Sequence, residues 1–332
     1  MIQKQILETI KKNERFLVIA HINPEGDSIG SQLAMANLLR TMGKTVRIIN
    51  EHSVPKNLMF LPGSDQIEVF SELNKEDINF DVAIILDCPI PERIGGIRNL
   101  LKGKQIIIID HHISDQSFGD INWTDTKASS AGEMVYQVFK AAKVPLDDAS
   151  AVCIYVAIMT DTGSFRYSNT TVATHHIIAE LLHFDFSPNK VYEHIYETKS
   201  FEVMKLLSEV LSNLKRSADG RYVWFRVTDQ MLKRNKLTAE STEDFIAFVR
   251  MIEGAEVVAY LREIENGATV TISMRSKTDI DVNAIAGHFG GGGHKAASGC
   301  MIEANIDQAE EMLLNQIKKS IAEHNGKNNQ EK

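Results

Sequence analysis

Short apolar runs alternate with amphipathic segments along the first part of the chain. Four runs lack polar alternation and predict fully buried strands, at 16–20, 45–49, 81–86 and 105–109. The segment between the first two runs, from Ser28 to the helix-ending Gly43, has apolar residues at helical spacing. Strand, helix and strand form a βαβ unit. The pattern therefore predicts an α/β fold whose N-terminal domain has a doubly wound, mainly parallel sheet.

The pattern changes after residue 217. Strands are predicted at 221–227, 255–262 and 269–275, with helices between them and a closing amphipathic helix at 307–324. These elements indicate a smaller C-terminal α/β domain with a mixed sheet. A long helix is predicted over 188–214, with no Gly or Pro break after Pro188. We therefore expect domains at 1–187 and 217–325, a helical connector at 188–216 and a disordered tail at 326–332.

The composition and net charge of the chain limit the kinds of partner that it is expected to bind. The 332 residues suit two domains, and the net charge of −8 argues against long duplex nucleic acid, which usually needs a basic surface. The three cysteines are far apart and form no CxxC, which favours a reduced, cytoplasmic protein. No run reaches the roughly 18 apolar residues of a membrane helix, so no membrane partner is expected. The sequence leaves a homodimer open.

Polar residues that can bind a metal follow three of the predicted strands. His21 follows the first, Asp87 the third, and Asp110-His111-His112 the fourth. Ligands of open α/β sheets bind at the carboxyl ends of the strands, where these residues would meet. A helix at 148–160, apolar all round, delivers Asp161, and a buried carboxylate needs a partner such as a metal.

The turn after the first strand adds two carboxylates. The candidate ligands are then His21, Glu25, Asp27, Asp87, His111 and Asp161. Six nitrogen and oxygen donors exceed the need of one ion, and two divalent ions sharing a carboxylate would use them well. The set predicts phosphoester hydrolysis by a metal-activated hydroxide. No GxSxG nucleophile motif is present.

The same residues resemble the four motifs of the DHH phosphoesterases. These are His21-Ile-Asn-Pro-Glu-Gly-Asp27, Leu86-Asp87, Asp110-His111-His112 and Asp161-Thr-Gly. Phe289-Gly-Gly-Gly-Gly-His-Lys and Arg275-Ser276 resemble signatures of the C-terminal DHH-associated domain. The resemblance extends from Phe16 to about Ile321. The length and two-domain layout are similar to the branch of bifunctional nano-RNases (oligoribonucleases) and pAp phosphatases.

The resemblance implies a role for each matching residue. Two manganese ions would be held, one by His21, position 25 and Asp87, the other by Asp27, Asp87, His111 and Asp161. Asp110 would orient a neighbouring group and His112 would face the scissile phosphate. Substrate would be bound by Arg275, Ser276, Gly291, Gly292, Gly293 and His294. The chain departs from the family at Glu25, where Asp is usual, and the longer side chain reaches a metal from a different rotamer.

The expected function is hydrolysis of short oligoribonucleotides or linear dinucleotides to mononucleotides, with dephosphorylation of pAp to AMP. One alternative is a phosphodiesterase for c-di-AMP or pApA. Another is a nucleotide-binding sensor whose catalysis is weakened by Glu25. An inorganic pyrophosphatase shares the first domain, but the segment Gly290 to His294 argues against it. A processive single-strand DNA exonuclease would need further domains and more positive charge.

Overall fold

The computed structural model describes residues 2–112 and 118–328. The chain forms two compact units, Met1–Thr198 and Lys199–Lys332. Each unit has hydrophobic clusters of its own on both faces of its sheet. None of the described helices combines the length and apolar character that a membrane crossing requires.

The first unit is built on a six-stranded parallel sheet with the order β3-β2-β1-β4-β5-β6. Its strands are β1 (Arg15–Ile19), β2 (Thr45–Asn50), β3 (Ile67–Val69), β4 (Val82–Leu86), β5 (Gln105–Asp110) and β6 (Ile121–Thr124). Its helices are α1 (Ile2–Lys12), α2 (Gly26–Thr41), α3 (Ala131–Ala142), α4 (Asp148–Asp161), α5 (Val172–Leu181) and α6 (Pro188–Tyr196). The predicted doubly wound parallel sheet is confirmed.

The strand order reverses between β1 and β4. From β1 the chain moves outward to β2 and β3, and it then returns to β4 on the other side of β1. In doubly wound sheets, such a switch point opens a crevice outside the carboxyl ends of the strands, where ligands bind. His21 and Asp87 lie just beyond the two strands at this point.

Glycines allow α2 and α4 to approach closely. A Cβ on Gly30 would lie 2.3 Å from the Cys153 carbonyl oxygen, and one on Gly26 would lie 2.4 Å from the Thr160 side chain. Since a larger residue would push the helices apart, the two glycines permit a tight crossing here. That crossing brings Asp27, in the first turn of α2, towards Asp161 at the end of α4.

The second unit has a mixed six-stranded sheet with the order β11-β12-β10-β9-β8-β7. Its strands are β7 (Lys215–Arg216), β8 (Tyr222–Val227), β9 (Val257–Ile264), β10 (Thr269–Ser276), β11 (Gly292–His294) and β12 (Ala297–Ile302). Its helices are α7 (Phe201–Ser212), α8 (Asp229–Asn235), α9 (Phe245–Val249), α10 (Val282–Gly287) and α11 (Ile306–Asn328). Within the described part of this unit only β8 and β9 pair in parallel, so the predicted mixed sheet is confirmed.

Two local predictions were wrong. The stretch expected to be one long helix is divided into α6 and α7, because Ser200 starts a new helix by accepting a hydrogen bond from the Val203 amide at 3.3 Å. The units defined by the structure divide there, between Thr198 and Lys199. The expected disordered tail begins inside α11, which continues to Asn328, and its residues 329–332 lie outside the described part of the chain.

Candidate metal centre

Three strand ends bring His21, Asp87 and His111 together, as their positions in the sequence predict. The His21 Nε2 lies 3.4 Å from Asp87 Oδ2, and the His111 Nε2 lies 3.6 Å from Asp87 Oδ1. Asp87 has a φ of 57°, in the left-handed region that Asp adopts more readily than most residues. Its amide donates to the Ile109 carbonyl at 3.1 Å, so the backbone turns out of β4 while still attached to β5. Asp87 therefore lies between the two imidazoles.

Asp27 and Asp161 complete the cluster from two helices. The carboxylate of Asp27 accepts hydrogen bonds from the Ala131 and Gly132 amides, at 2.7 and 2.8 Å, at the start of α3. These amides are otherwise unpaired groups of a helix N-terminus, which suits an anion. The His111 Nε2 lies 3.6 Å from Asp27 and 3.7 Å from Asp161. One imidazole nitrogen is thus surrounded by three carboxylates.

The spacing of these atoms fits a metal better than it fits hydrogen bonds. The His111 Nε2 is buried and, among the described residues, has no hydrogen-bond partner. Two ligand atoms at about 2.1 Å from a shared ion lie roughly 3–3.5 Å apart, close to the separations seen here. The potential ligand atoms of two trios lie within 4.8 Å of one another: Asp27, His111 and Asp161, and Asp87, His111 and His112. The donor set therefore fits a divalent metal.

The buried carboxylates at this site have shifted pKa values, because they lie close to one another and to the imidazoles. Burial, together with the nearby Asp87 and Asp161, raises the pKa of Asp27 well above its ordinary value. Burial also raises the pKa of Asp161. Burial alone would raise the pKa of Asp87 too, but the adjacent imidazoles of His111 and His21 outweigh it and lower that pKa to about 2. Buried like charges are costly unless cations offset them, which is a further reason for a metal.

Asp110 holds His112 in place. Asp110 is fully buried, and its Oδ1 lies 2.8 Å from the His112 Nδ1. This hydrogen bond raises the pKa of His112, and the fixed Nδ1 leaves the Nε2 to point elsewhere. The side chain of His112 is 42% exposed, against 12% for His111. The arrangement suits the roles expected of the pair: Asp110 orients a neighbour, and His112 is open to a substrate.

Glu25 lies at the edge of this site. The pocket is lined by His21, Glu25, Asp27, Asp87, Arg93, His112, Thr160 and Asp161. Glu25 is exposed and starts α2, where its amide donates to the Ser28 hydroxyl at 2.7 Å. It belongs to neither trio of closely spaced donors. The structure therefore brings Glu25 to the pocket, at its exposed rim.

Arg93 is a pocket residue that the sequence did not reveal. It belongs to the irregular 3-10 segment Pro91–Leu100, and its carbonyl accepts a hydrogen bond from the Ile22 amide at 2.6 Å. That contact joins the segment to the loop after β1. The guanidinium of Arg93 forms no ion pair with any residue of the described chain, although it lines a pocket with four carboxylates. A half-buried cation without a carboxylate partner can bind a phosphate.

In the second unit, Arg275 and His294 lie in one cross-strand row. Ala297 of β12 pairs with Arg275 of β10 on one side and with His294 of β11 on the other. Residues directly opposite each other in a sheet share a face, so the side chains of Arg275 and His294 belong to the same face. Arg275 is half-buried and burial lowers its pKa, while His294 is exposed. Ser276 is buried, and its hydroxyl donates to the Thr278 carbonyl at 3.0 Å.

The glycine run is partly a strand. A Cβ on Gly291 would lie 2.3 Å from the Gly299 carbonyl oxygen, and Gly293 has a φ of 147° and would meet Ala297 at 2.6 Å. Gly292 is open, with Asn283 as its nearest neighbour at 3.7 Å. The sequence predicted close approach to a phosphate at these glycines. At Gly291 and Gly293, the structure shows in addition that the pairing with β12 itself excludes a side chain.

Comparisons with known proteins agree with this layout. Residues 15–158 match the model of the DHH family N-terminal domain, and residues 219–323 match the DHHA1 domain. The chain is 29% identical over 312 residues to the bifunctional oligoribonuclease and PAP phosphatase NrnA of Bacillus subtilis, covering 93% of this chain and 96% of that one. The protein of the same name from Thermus thermophilus is 28% identical, with coverages of 95% and 93%.

A solved structure is similar over nearly the whole chain. The exopolyphosphatase-related protein from Bacteroides fragilis superposes with a TM-score of 0.88 at 26% identity, and 96% of each chain is covered. Both units of the fold therefore recur in a protein of similar length.

Proposed function

This chain belongs to the DHH family and carries a DHHA1 domain, and from that premise we propose that it hydrolyses short oligoribonucleotides or linear dinucleotides to mononucleotides. The observation that carries the proposal is the buried His111 nitrogen, unpaired among the described residues and surrounded by the carboxylates of Asp27, Asp87 and Asp161. The names of the two bacterial relatives support the substrate class, and they add dephosphorylation of pAp to AMP.

We propose two divalent ions, with manganese as the metal, as cofactors. His21, Glu25 and Asp87 would hold one ion, and Asp27, Asp87, His111 and Asp161 the other. When bound, such a pair supplies water activation and stabilises charge on the phosphoryl oxygens. Asp87 fits the shared position because its two carboxylate oxygens face different imidazoles, His21 and His111.

The remaining pocket residues would act on the substrate directly. His112, whose pKa is raised by the hydrogen bond with Asp110, can in its protonated form donate a hydrogen bond from Nε2 to a phosphoryl oxygen. The Asp110 carboxylate keeps the ring in that orientation. Arg93 can pair with a second phosphoryl oxygen, because no carboxylate of the described chain engages it.

We propose that the DHHA1 domain binds the substrate in addition to the metal centre. Arg275 and His294 would bind a terminal phosphate or base, together with Ser276 and the backbone of Gly291, Gly292 and Gly293. The shared face of Arg275 and His294 supports this assignment. Binding energy from such a remote anchor can be used to position the scissile phosphate.

Cellular context completes the proposal. Cys88, Cys153 and Cys300 are buried free thiols, which supports a reducing, cytoplasmic compartment. The partner is a short RNA or nucleotide, not a long duplex, because the net charge of −8 repels an extended polyanion. The oligomeric state, including a homodimer, is a matter for sedimentation analysis.

Product analysis on a panel of substrates tests the proposal. The panel contains a diribonucleotide, a long single strand, pAp, pApA, c-di-AMP and pyrophosphate, each with manganese and with manganese removed. We expect mononucleotides from the dinucleotides and AMP from pAp, only with metal present. A preference for c-di-AMP would favour the cyclic-dinucleotide alternative. Tight binding of a dinucleotide without any turnover would favour a nucleotide-binding sensor over an enzyme.

A further inference from the structure

The loop after Asp161 has an uncommon backbone. Gly163, Ser164 and Phe165 have φ values of 54°, 58° and 65°, so three successive residues are left-handed. Such a run is costly for residues other than glycine and persists only where the surroundings hold it. Thr162 does so, since its hydroxyl accepts from the Phe165 amide at 3.1 Å and its carbonyl accepts from the Arg166 amide at 3.0 Å.

The loop returns to the residue from which it starts. The amide group of Asn169 donates to the Asp161 carbonyl at 3.1 Å and to Asp161 Oδ2 at 3.3 Å. The segment 162–169 is therefore closed on one of the proposed metal ligands. Both ends of the loop therefore lie beside the metal centre.

The loop displays an arginine and a tyrosine. The Tyr167 ring is seated on Gly163, where a Cβ would lie 2.3 Å from the Tyr167 Cζ. The Arg166 Nε donates to the Gly163 carbonyl at 2.7 Å, and its guanidinium carbon lies 5.6 Å from the centre of the Tyr167 ring. Tyr167 is 53% exposed, and Arg166 forms no ion pair within residues 2–112 and 118–328. Its charge is therefore free for an anion.

Helix α6 adds two more tyrosines. The rings of Tyr192 and Tyr196 lie 4.9 Å apart, and the two side chains are 43% and 37% exposed. Burial raises the pKa of Tyr196, while the nearby Ser164 and Arg166 of the loop lower it, so Tyr196 lies close to the loop. We call Arg166, Tyr167, Tyr192 and Tyr196 the aromatic platform.

Exposed tyrosines next to an unpaired arginine suit one class of ligand particularly well. Unstacked nucleobases bind by stacking on aromatic rings and guanidinium planes, while the arginine also attracts the phosphate. The net charge of the chain is −8, yet Arg166 has no ion-pair partner among the described residues and adjoins the proposed site for phosphoesters. These features favour a nucleotide over an acidic protein surface as the ligand.

We propose that the aromatic platform is a nucleobase subsite, which stacks the base of the nucleotide adjoining the scissile phosphate. This inference rests on the proposed function, and it adds that a base is recognised through its π-face. Every base has such a face, so the subsite would accept all four bases of RNA.

Paired substrates test the platform in the full-length protein. One substrate is a dinucleotide with both bases. The other two are the same dinucleotide with an abasic residue at the first or at the second position. We expect Tyr167→Leu to raise KM for the intact dinucleotide about tenfold or more. For the abasic substrate that lacks the stacked base, KM should change by no more than about twofold. Tyr167→Phe should behave like the wild type. Phe248→Leu is the matched control, since Phe248 is a 37% exposed aromatic in the second unit. Equal losses on intact and abasic substrates would reduce the loop to a support for Asp161 and overturn the subsite.

A binding measurement separates this inference from the hydrolysis proposal. With manganese present, the wild type should bind AMP about tenfold more tightly than ribose 5-phosphate, and Tyr167→Leu should abolish the difference. A wild type that turns over nothing but keeps this difference would refute the hydrolysis and retain the platform. Turnover of dinucleotides with equal affinities for AMP and ribose 5-phosphate would do the reverse.

Discussion

The strand-end cluster of the first unit and the Arg275–His294 row of the second unit solve opposite physical problems. His21, Asp27 and Asp87 are only 3%, 3% and 5% exposed, and the site contains more carboxylates than cations. His294 is exposed and Arg275 half-buried, so water can solvate the polar groups of this row. The buried cluster therefore needs positive charge to offset its carboxylates, which the proposed metal would supply, whereas the row is stable without a ligand.

The two regions should respond differently to substitution. On the proposed assignments, a change in the buried cluster should alter metal binding and hence the turnover of every substrate. A change in the exposed row should affect only substrates large enough to contact it. Variants should therefore differ in how their effects depend on the substrate, as well as in their size.

The largest effect is expected at Asp87. Asp87→Asn should lower turnover of all substrates by more than about 100-fold, because it removes a carboxylate oxygen from between His21 and His111. Asn tolerates the left-handed φ of 57°, so the fold should survive. Asp81→Asn is the control, since Asp81 lies at the other end of β4 and pairs with Arg15 at 2.6 Å. Activity near the wild-type level in Asp87→Asn would end the shared-metal model.

Arg93 comes next. Arg93→Ala should lower kcat/KM about 10- to 100-fold on both large and small phosphoesters, because the scissile phosphate loses a charged hydrogen-bond donor. Arg98→Ala, an exposed arginine of the same 3-10 segment, should leave kcat/KM unchanged. Steady-state kinetics on a dinucleotide and on a minimal phosphate ester decide the matter. Similar kinetics in the two variants would exclude Arg93 from phosphate binding.

The row in the second unit should respond selectively. Arg275→Ala and His294→Ala should each lower kcat/KM about tenfold on a dinucleotide, with far smaller losses on a minimal ester that cannot use a remote anchor. Lys295→Ala is a neighbouring control, because Lys295 pairs with Asp279 at 3.0 Å. Equal losses on both substrates would show that the row acts on the common chemistry or on folding.

The last prediction concerns the pH dependence of metal binding. Burial lowers the pKa of His111, but Asp87, Asp27 and Asp161 outweigh it and raise it from 6.5 to about 9. Below that pH, the metal must displace a proton, so manganese affinity should rise about tenfold per pH unit and level off near pH 9. The raised pKa also stabilises the metal-free fold below pH 6.5, and this contribution is lost as the pH rises through 9. Calorimetric titrations at several pH values measure the slope, and a flat profile would contradict it.

The residues of the buried cluster could be recognised in the sequence from their immediate neighbours. Asp87, His111 and Asp161 each follow a continuous apolar segment, and an acid or imidazole there stands out. Arg93 could not be recognised in the same way, since only the contact between the Ile22 amide and its carbonyl places it in the pocket. The strands β3 and β6 were missed because they have three and four residues and lie at the edges of the sheet. The break at Ser200 was missed because a capping serine also occurs inside helices.

The residues of the second unit needed the family resemblance. Arg275, His294 and the glycines have no apolar frame that marks them as a site. The structure shows their common row, and it also shows that Gly291 and Gly293 are required by the pairing of β11 with β12. Neither the row nor this packing requirement follows from spacing in the sequence.

The most direct test is turnover of a diribonucleotide by metal-free protein as manganese is added in measured equivalents. We expect no hydrolysis without metal, a rise with added manganese, and saturation at two equivalents per chain, with mononucleotides as products. Hydrolysis that persists after complete metal removal would contradict the account, and so would a folded protein that remains inactive at every manganese concentration.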